Sequence, residues 1–529
     1  MPKNKEVNLG QYFNLPNPGL KSYFDMVRVG QPDEYRTTFA KGSDVATVLK
    51  QWMPTLQTLS DRWPSLVKFE NDLAEKVGPM SIMQPLSERM KDIDHYYEDI
   101  LLSSTPISDR AVSAVVGEWS SYRGLTPRSE RSTVELMKKS TNSGSPYFAK
   151  RKLVTDKSIP TLVYPIGEDV AQWLRGREWR ACAILGWRGQ EGGPNPDDVK
   201  QRVVWMFPYA VNIQELRIYQ PMIEAAQRGN LVPAWVSMEA VDQRVTKLFD
   251  TKGNNDLIIC TDFSRFDQHF NPDLQAAAKS IIRKLLNGSS ESNEWLDKIF
   301  PIKYMIPLMY DLGKVTFGPH GMASGSGGTN ADETLVHRAL QYECAMSHNQ
   351  RLNPNSQCLG DDGIISYPGI TVEDVMRSYV RHGQEMNETK QHVSKQDCIY
   401  LRRWHHTDYR EKGVCVGVYA TCRALGRLCE QERYYDPEVW SNKMVALRQL
   451  SIIENVKYHP LREEFAEFCI KRDKFRLGID IPGFLANIDS EASKAMDLMP
   501  DFLGYTKSQQ KSAARGISDW WIVKYLKSR

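Results

Sequence analysis

Side-by-side carboxylates repel each other, and they make sense where a cation sits on them. The run Gln357-Cys358-Leu359-Gly360-Asp361-Asp362-Gly363-Ile364-Ile365 holds such a pair between two short apolar stretches. It reads as a tight β-hairpin with Asp361 and Asp362 at its tip. A hard divalent ion with oxygen ligands is the natural partner, although a solvated Asp-Gly turn explains the same letters. A second carboxylate source lies upstream, where Leu257–Thr261 reads as a strand buried on both faces and leads into Asp262. A carboxylate there is costly unless liganded. Asp267 follows five residues later, in Asp262-Phe263-Ser264-Arg265-Phe266-Asp267.

Three other stretches could hold phosphate or sugar. Lys200 and Arg202 fall on one face of an expected strand, 200–206, where two cations side by side suit a triphosphate. Ser324-Gly325-Ser326-Gly327-Gly328-Thr329-Asn330 is a glycine-rich turn opening a helix, and its backbone could approach a base, sugar or phosphate closely. Thr141-Asn142-Ser143-Gly144-Ser145-Pro146 could offer backbone N–H groups to an RNA phosphate chain. Between Arg123 and Arg202 the chain is rich in Lys and Arg, Arg188 among them, which a solvated face would also explain.

Several elements must carry these residues. Asn271 and Pro272 start a helix with Leu274, Ala277, Ala278, Ile281, Ile282 and Leu285 on one face. Thr371 has the form of a helix cap. The run 399–403 reads as one strand, 415–420 as another, and Asp436-Pro437 as the start of a helix. Residues 186–196 read as a mobile loop. Near the N-terminus, 45–53 looks helical with Pro54 ending it, and 72–77 and 86–102 have helical spacing; no chemistry is legible there.

Composition sets wider limits. The chain has 529 residues, 41% of them hydrophobic, enough for several subdomains. No stretch approaches a membrane span, and the first residues lack an apolar signal core. Nine scattered cysteines without a Cys-x-x-Cys pair indicate a reduced protein without a zinc motif. Net charge is +3, so any nucleic-acid affinity must come from local patches.

Taken in order, these motifs resemble the palm of the viral RNA-dependent RNA polymerases. Thr261-Asp262 to Asp267 looks like motif A, Ser324-Gly325 to Thr329-Asn330 like motif B, and Gly360-Asp361-Asp362 like motif C. Lys200 and Arg202 are similar to motif F, Ser143 and Gly144 to motif G, Lys390 to the motif D lysine, and Tyr400-Leu401-Arg402-Arg403 to motif E. The chain length and the Thr141–Pro146 and Val203-Val204-Trp205 wording look most like polymerases of small double-stranded RNA viruses, and Gly10–Gly19 resembles those of picobirnaviruses in particular, with partitiviruses as the near alternative.

The resemblance implies an α+β right-hand fold, with an antiparallel palm sheet backed by helices. It would place an N-terminal arm and fingers at 1–220, palm at 221–275, a fingers insertion at 276–312, palm again at 313–405, and thumb with a basic tail at 406–529. Asp262, Asp361 and Asp362 would hold two Mg²⁺ ions, with Mn²⁺ as the alternative. Lys390 would be a general acid toward pyrophosphate, with Lys395 as fallback. Lys200 and Arg202 would grip the triphosphate, with Ser324, Gly325, Thr329, Asn330 and Asp267 around the nucleotide and Ser143, Gly144, Arg188, Arg402 and Arg403 along the RNA.

Asp267 could accept a hydrogen bond from a ribose 2′-hydroxyl, which favours RNA over DNA building blocks. A reverse transcriptase would instead place an aromatic barrier near that point, and Phe263 and Phe266 are close in sequence. Motif B departs from the usual pattern: Glu333 stands where an Asn is common, leaving the sugar-reading role open between Asn330, Glu333 and Ser324. Implied partners are a single-stranded RNA template, nascent RNA, nucleoside triphosphates and the viral capsid, without a membrane, in the virion interior or host cytoplasm. A catalytically dead RNA-binding scaffold of the same fold is the contrasting reading.

Overall fold

The computed structural model describes residues 2–496, 498 and 516–529. Within the basic tail, residues 507–515 lie outside the described residues.

The strand Ile258–Thr261 is buried along its whole length, as its apolar run requires. It is the inner member of a four-stranded antiparallel sheet. Asp362–Ile365 pairs with it on one side and His392–Ser394 on the other, and Gln357–Leu359 completes the edge. Helices Pro272–Leu285 and Thr329–Ser347 pack in the same hydrophobic core. Asn271 starts the first of them, its Oδ1 accepting from Leu274 N–H at 3.1 Å. Mixed helix and antiparallel sheet match the expected α+β class.

A second sheet has five strands, in the order Lys3–Glu6, Lys314–Phe317, Leu308–Asp311, Ala183–Gln190 and Lys200–Met206. One pair, Leu308–Asp311 with Ala183–Gln190, is parallel. A separate hydrophobic core unites the N-terminal residues Phe39 to Leu56 with helices between Thr421 and Lys527.

Six local expectations are corrected. Pro54 lies inside the helix Val45–Gln57, where it stands ten residues in and the chain beyond it still packs through Leu56. Residues 186–190 belong to the strand Ala183–Gln190, because their backbone pairs in continuous register with residues 200–204 of the strand Lys200–Met206. The 399–403 run is not one strand: it turns at Leu401 and Arg402, with φ of 51 and 60, between strands Asp397–Tyr400 and Arg403–His406. The helix expected at Asp436 begins instead at Asn442, capped by the Ser441 side chain. The 72–77 segment is the tail of a helix that spans Pro64–Ala74, and within 415–420 only Val418–Tyr419 is strand.

Candidate active site

The hairpin tip is a two-residue turn, Gly360 and Asp361, with Leu359 paired to Asp362 across it. Gly360 takes φ of 57, a conformation glycine adopts at little cost. Helix Thr329–Ser347 holds this turn from beneath. Gly360 N–H donates to Thr334 Oγ1 at 2.9 Å, and His337 Nδ1 lies 2.8 Å from Gly360 O. Burial pushes the His337 imidazole down to about 4. At neutral pH it is therefore uncharged, and a carbonyl partner assigns the proton to Nδ1. The fit is close, since a Cβ on Gly363 would stand 2.7 Å from the His337 ring.

Gly363 pairs with Thr261, which brings the tip beside Asp262. The Asp361 carboxyl is raised, first by burial and next by the charge of Asp267; Asp262 adds to this and Arg202 opposes it. Three carboxylates and one guanidinium thus share a single electrostatic neighbourhood. Asp362 behaves differently. As the first residue of the returning strand it faces the next hairpin, where its Oδ2 accepts from Leu401 N–H at 2.8 Å. Burial, and then Asp361, push it up to about 7. The expectation of both carboxylates together at the tip is corrected, because strand alternation sends neighbours apart.

The Asp262 backbone is held by a side chain that the sequence reading passed over. Asp262 N–H donates to Gln391 Oε1 and Gln391 Nε2 donates to Asp262 O, each at 2.8 Å. The same amide also donates to Asn387 O at 3.0 Å. Lys390, the neighbouring residue, is exposed at the end of the short turn Glu388–Lys390.

Of the three sugar-reading candidates, Glu333 is set against Asp267. Burial raises the Glu333 carboxyl well above its usual range, and Asp267 raises it further by charge and as a hydrogen-bond partner. Glu333 Oε1 is buried without a hydrogen-bond partner among the described residues. The other candidates are bonded elsewhere. Asn330 Oδ1 accepts from Trp235 Nε1 at 2.7 Å, and Ser324 Oγ donates to Val203 O at 3.2 Å. Thr329 Oγ1 donates within its own loop, to Ala323 O and Ser326 O. Phe263 and Phe266 are buried, with Phe263 stacked on Tyr379, so neither stands free as a barrier over a sugar.

Lys200 and Arg202 do lie on one side of the strand Lys200–Met206. The Lys200 ammonium is lowered by burial and then by Lys76, Arg402 and Arg202, with Asp262 opposing. Arg402, at the hairpin turn, is pushed down to about 10, first by burial and then by Arg423; Glu191 opposes, and Arg202 and Arg427 add. Six cations from four separate chain regions thus gather beside the carboxylates. Lys76, Arg423 and Arg427 are isolated in sequence, and no local pattern could have found them.

Arg403 is corrected: its guanidinium turns to Asn455 O and Oδ1 at 3.4 and 3.3 Å, away from Arg402, as alternate residues beyond a turn must. Arg188 pairs in register with Arg202 and reaches Glu432 at 3.3 Å. The expectation of free N–H groups at Ser143 and Gly144 also fails. Ser143 N–H donates to Ala149 O at 2.7 Å and Gly144 N–H to Asn142 Oδ1 at 2.7 Å, because this buried loop closes on itself.

Among the described residues, no three His, Cys, Asp or Glu side chains form an enclosing metal cage. Asp262 and Asp361 fit a different pattern: small hard cations take one or two carboxylates and complete their shell with water and substrate phosphates. Burial and the nearby Asp267 charge make the ionised Asp361 carboxyl unfavourable, and a bound cation would offset that cost.

Comparison with known proteins now bears on this geometry. The family model described as viral RNA-dependent RNA polymerase matches residues 107–414. A potential RNA-dependent RNA polymerase of human picobirnavirus (strain Human/Thailand/Hy005102/-) is 62% identical over 525 residues, 98% of either chain. An RNA-directed RNA polymerase of Cryptosporidium parvum virus 1 (strain KSU-1) is 26% identical over 302 residues, covering 53% of this chain and 54% of that one. The crystal structure of the RNA-dependent RNA polymerase of a human picobirnavirus superposes with a TM-score of 0.95 at 61% identity, over 99% of this chain and all of that one. Its insertion-loop deletion mutant gives 0.94 at 59% identity, over 99% and 100% of the two chains.

Proposed function

As a member of the viral RNA-dependent RNA polymerase family, this chain is an RNA-directed RNA polymerase, and we propose that Asp262 and Asp361 carry its reaction. The enzyme acts on RNA and nucleoside triphosphates, and its fold is the α+β polymerase fold of the picobirnavirus enzymes.

Asp262 and Asp361 would hold two Mg²⁺ ions, or Mn²⁺ in their place. Such ions, when bound, make the 3′-hydroxyl of the growing strand a better nucleophile and neutralise triphosphate charge. Lys200 and Arg202 hold the triphosphate, with Arg402 adding charge where the leaving pyrophosphate develops it. Lys390 gives a proton to the leaving oxygen. Asp267 accepts from the ribose 2′-hydroxyl, with Glu333 beside it, while Ser324, Gly325, Thr329 and Asn330 form the loop against the nucleotide. Asp362 steadies the hairpin through Leu401. Arg188 and Arg402 serve the RNA; Arg403, Ser143 and Gly144 brace the frame.

The division into arm and fingers, palm, fingers insertion, palm and thumb belongs to this reading. So do replication and transcription of a double-stranded RNA genome, a capsid partner, and work inside the virion or host cytoplasm. Among the described residues no helix is long and apolar enough to cross a membrane.

The observation that carries the proposal is the gathering of Asp262, Asp267 and Asp361 opposite Lys200 and Arg202. Its test is ribonucleotide incorporation on single-stranded RNA with Mg²⁺ and no primer. Wild type should give template-length product. Asp361→Ala should lose on the order of 10³-fold in rate while still binding RNA. An active Asp361→Ala would sink the assignment, and product only with a primer would overturn unaided initiation.

A further inference from the structure

Glu215 is fully buried, in the helix Tyr209–Gly229 that follows the strand bearing Lys200 and Arg202. A buried carboxylate is costly where an apolar side chain would pack, so its bonds show what it is for. Two of its three bonds tie a single loop to this helix, and the third comes from Asn212 on the same helix. Ser326 Oγ donates to Glu215 Oε2. Gly327 N–H and Asn212 Nδ2 both donate to Glu215 Oε1, at 3.0 Å each. Asn212 Nδ2 also lies 3.3 Å from Gly325 O. Lys303 is close enough to favour the charged form, yet its ammonium is bonded at 3.0 Å to Asp332.

The loop is seated as tightly as these bonds imply. A Cβ on Gly325 would fall 1.6 Å from Trp205 O, and one on Gly328 would fall 2.4 Å from the Tyr219 ring. Ser324 Oγ donates to Val203 O on the same strand. The glycine-rich loop therefore rests on the strand that presents Lys200 and Arg202, and Glu215 is the ionisable group that fastens it.

We propose that Glu215 is a positioning residue for the nucleotide: it locks the Ser324–Gly328 loop to the strand and helix carrying Lys200 and Arg202. The sugar-facing and triphosphate-facing parts of the site are then held at one spacing. This rests on the site reading above and adds the residue that sets its geometry. A loop held at the wrong spacing grips the nucleotide less well in ground and transition state alike, so the loss falls on KM.

The test is single-nucleotide incorporation on a primed template, with nucleotide titrated to separate KM from kcat. Glu215→Leu should raise KM for the nucleotide by roughly tenfold or more with kcat within about threefold, the mark of lost ground-state positioning. Glu215→Gln should return KM to within about threefold of wild type, since its oxygen can accept from Gly327 and Asn212 and its amide can donate to Ser326 Oγ. Ser326→Ala, which deletes one bond from the loop side, should fall between. A purely structural role would lower Tm and the active fraction without moving KM. Unchanged KM in Ser326→Ala, or in a folded Glu215→Leu, would overturn the proposal. A wild type that incorporates nothing would overturn the site reading and this inference with it.

Discussion

Glu333 is buried where a sugar is expected, and after burial the charge of Asp267 raises its carboxyl further. Burial and the Asp267 charge disfavour the ionised form of Glu333, and its protonated form can donate a hydrogen bond as an amide would. Asp267 is then left as acceptor for the 2′-hydroxyl. Loss of the pair should weaken sugar selection rather than chemistry. Glu333→Ala is expected to narrow the kcat/KM ratio of ATP over dATP by roughly tenfold, and Glu333→Gln to keep most of it. The ratio measured under identical metal and template conditions decides this, and an unchanged ratio in Glu333→Ala would remove Glu333 from the sugar site.

At the scale of elements, the site works because three separate pieces are clamped to one another. The hairpin turn sits on Thr334 and His337, one helical turn apart. The glycine-rich loop sits on Glu215. The strand end at Asp262 is clamped by Gln391, whose amide meets both the N–H and the C=O of that residue and extends the ladder beyond His392 and Cys260. This clamp fixes the Asp262 backbone. Gln391→Leu removes both bonds and should cost about 10- to 100-fold in kcat or in apparent metal affinity, the usual loss when a ligand's supporting partner is removed. A Mg²⁺ titration of incorporation rate would show it. Wild-type rate and metal dependence in that variant would mean the clamp is dispensable.

For the whole molecule, the N-terminal arm belongs with the C-terminal helices. Trp52 Nε1 donates to Thr421 Oγ1 at 2.8 Å inside their shared core, and strand Tyr35–Arg36 pairs with Glu430–Gln431. The same junction holds a carboxyl pair. Burial, and then Glu34 as hydrogen-bond partner, push Glu430 up to about 9, while Glu430 holds Glu34 low. A carboxyl whose folded pKa exceeds its unfolded value contributes fully only below the unfolded value, near 4.5, and its contribution is gone above the folded one. Its contribution to thermal stability should therefore fall as pH rises from about 4.5 through 9. Glu430→Gln, which cannot titrate, should show a shallower fall in Tm over that window. Parallel slopes for the two proteins would place the pH dependence elsewhere.

The sequence alone settled the chemistry-bearing order: Asp262 after a buried strand, a glycine-rich turn before a helix, Asp361 at a hairpin, and Lys200 with Arg202 on one strand face. Each is a local pattern, carried by strand alternation, capping or turn chemistry, and each needs no distant residue to be legible. Where local letters were ambiguous they misled. Polar residues 186–190 read as loop but pair along a full strand, and Arg403 reads like Arg402 but faces the opposite way. The tertiary structure decided everything that depends on long-range contact. It set Glu333 beside Asp267, turned Asp362 toward Leu401, added Lys76, Arg423 and Arg427 to the cation group, and made Gln391 and Glu215 the fasteners of the site. These roles rest on which groups meet once the chain has closed. A side chain's partner is set by that packing, and no periodicity within its own segment records it.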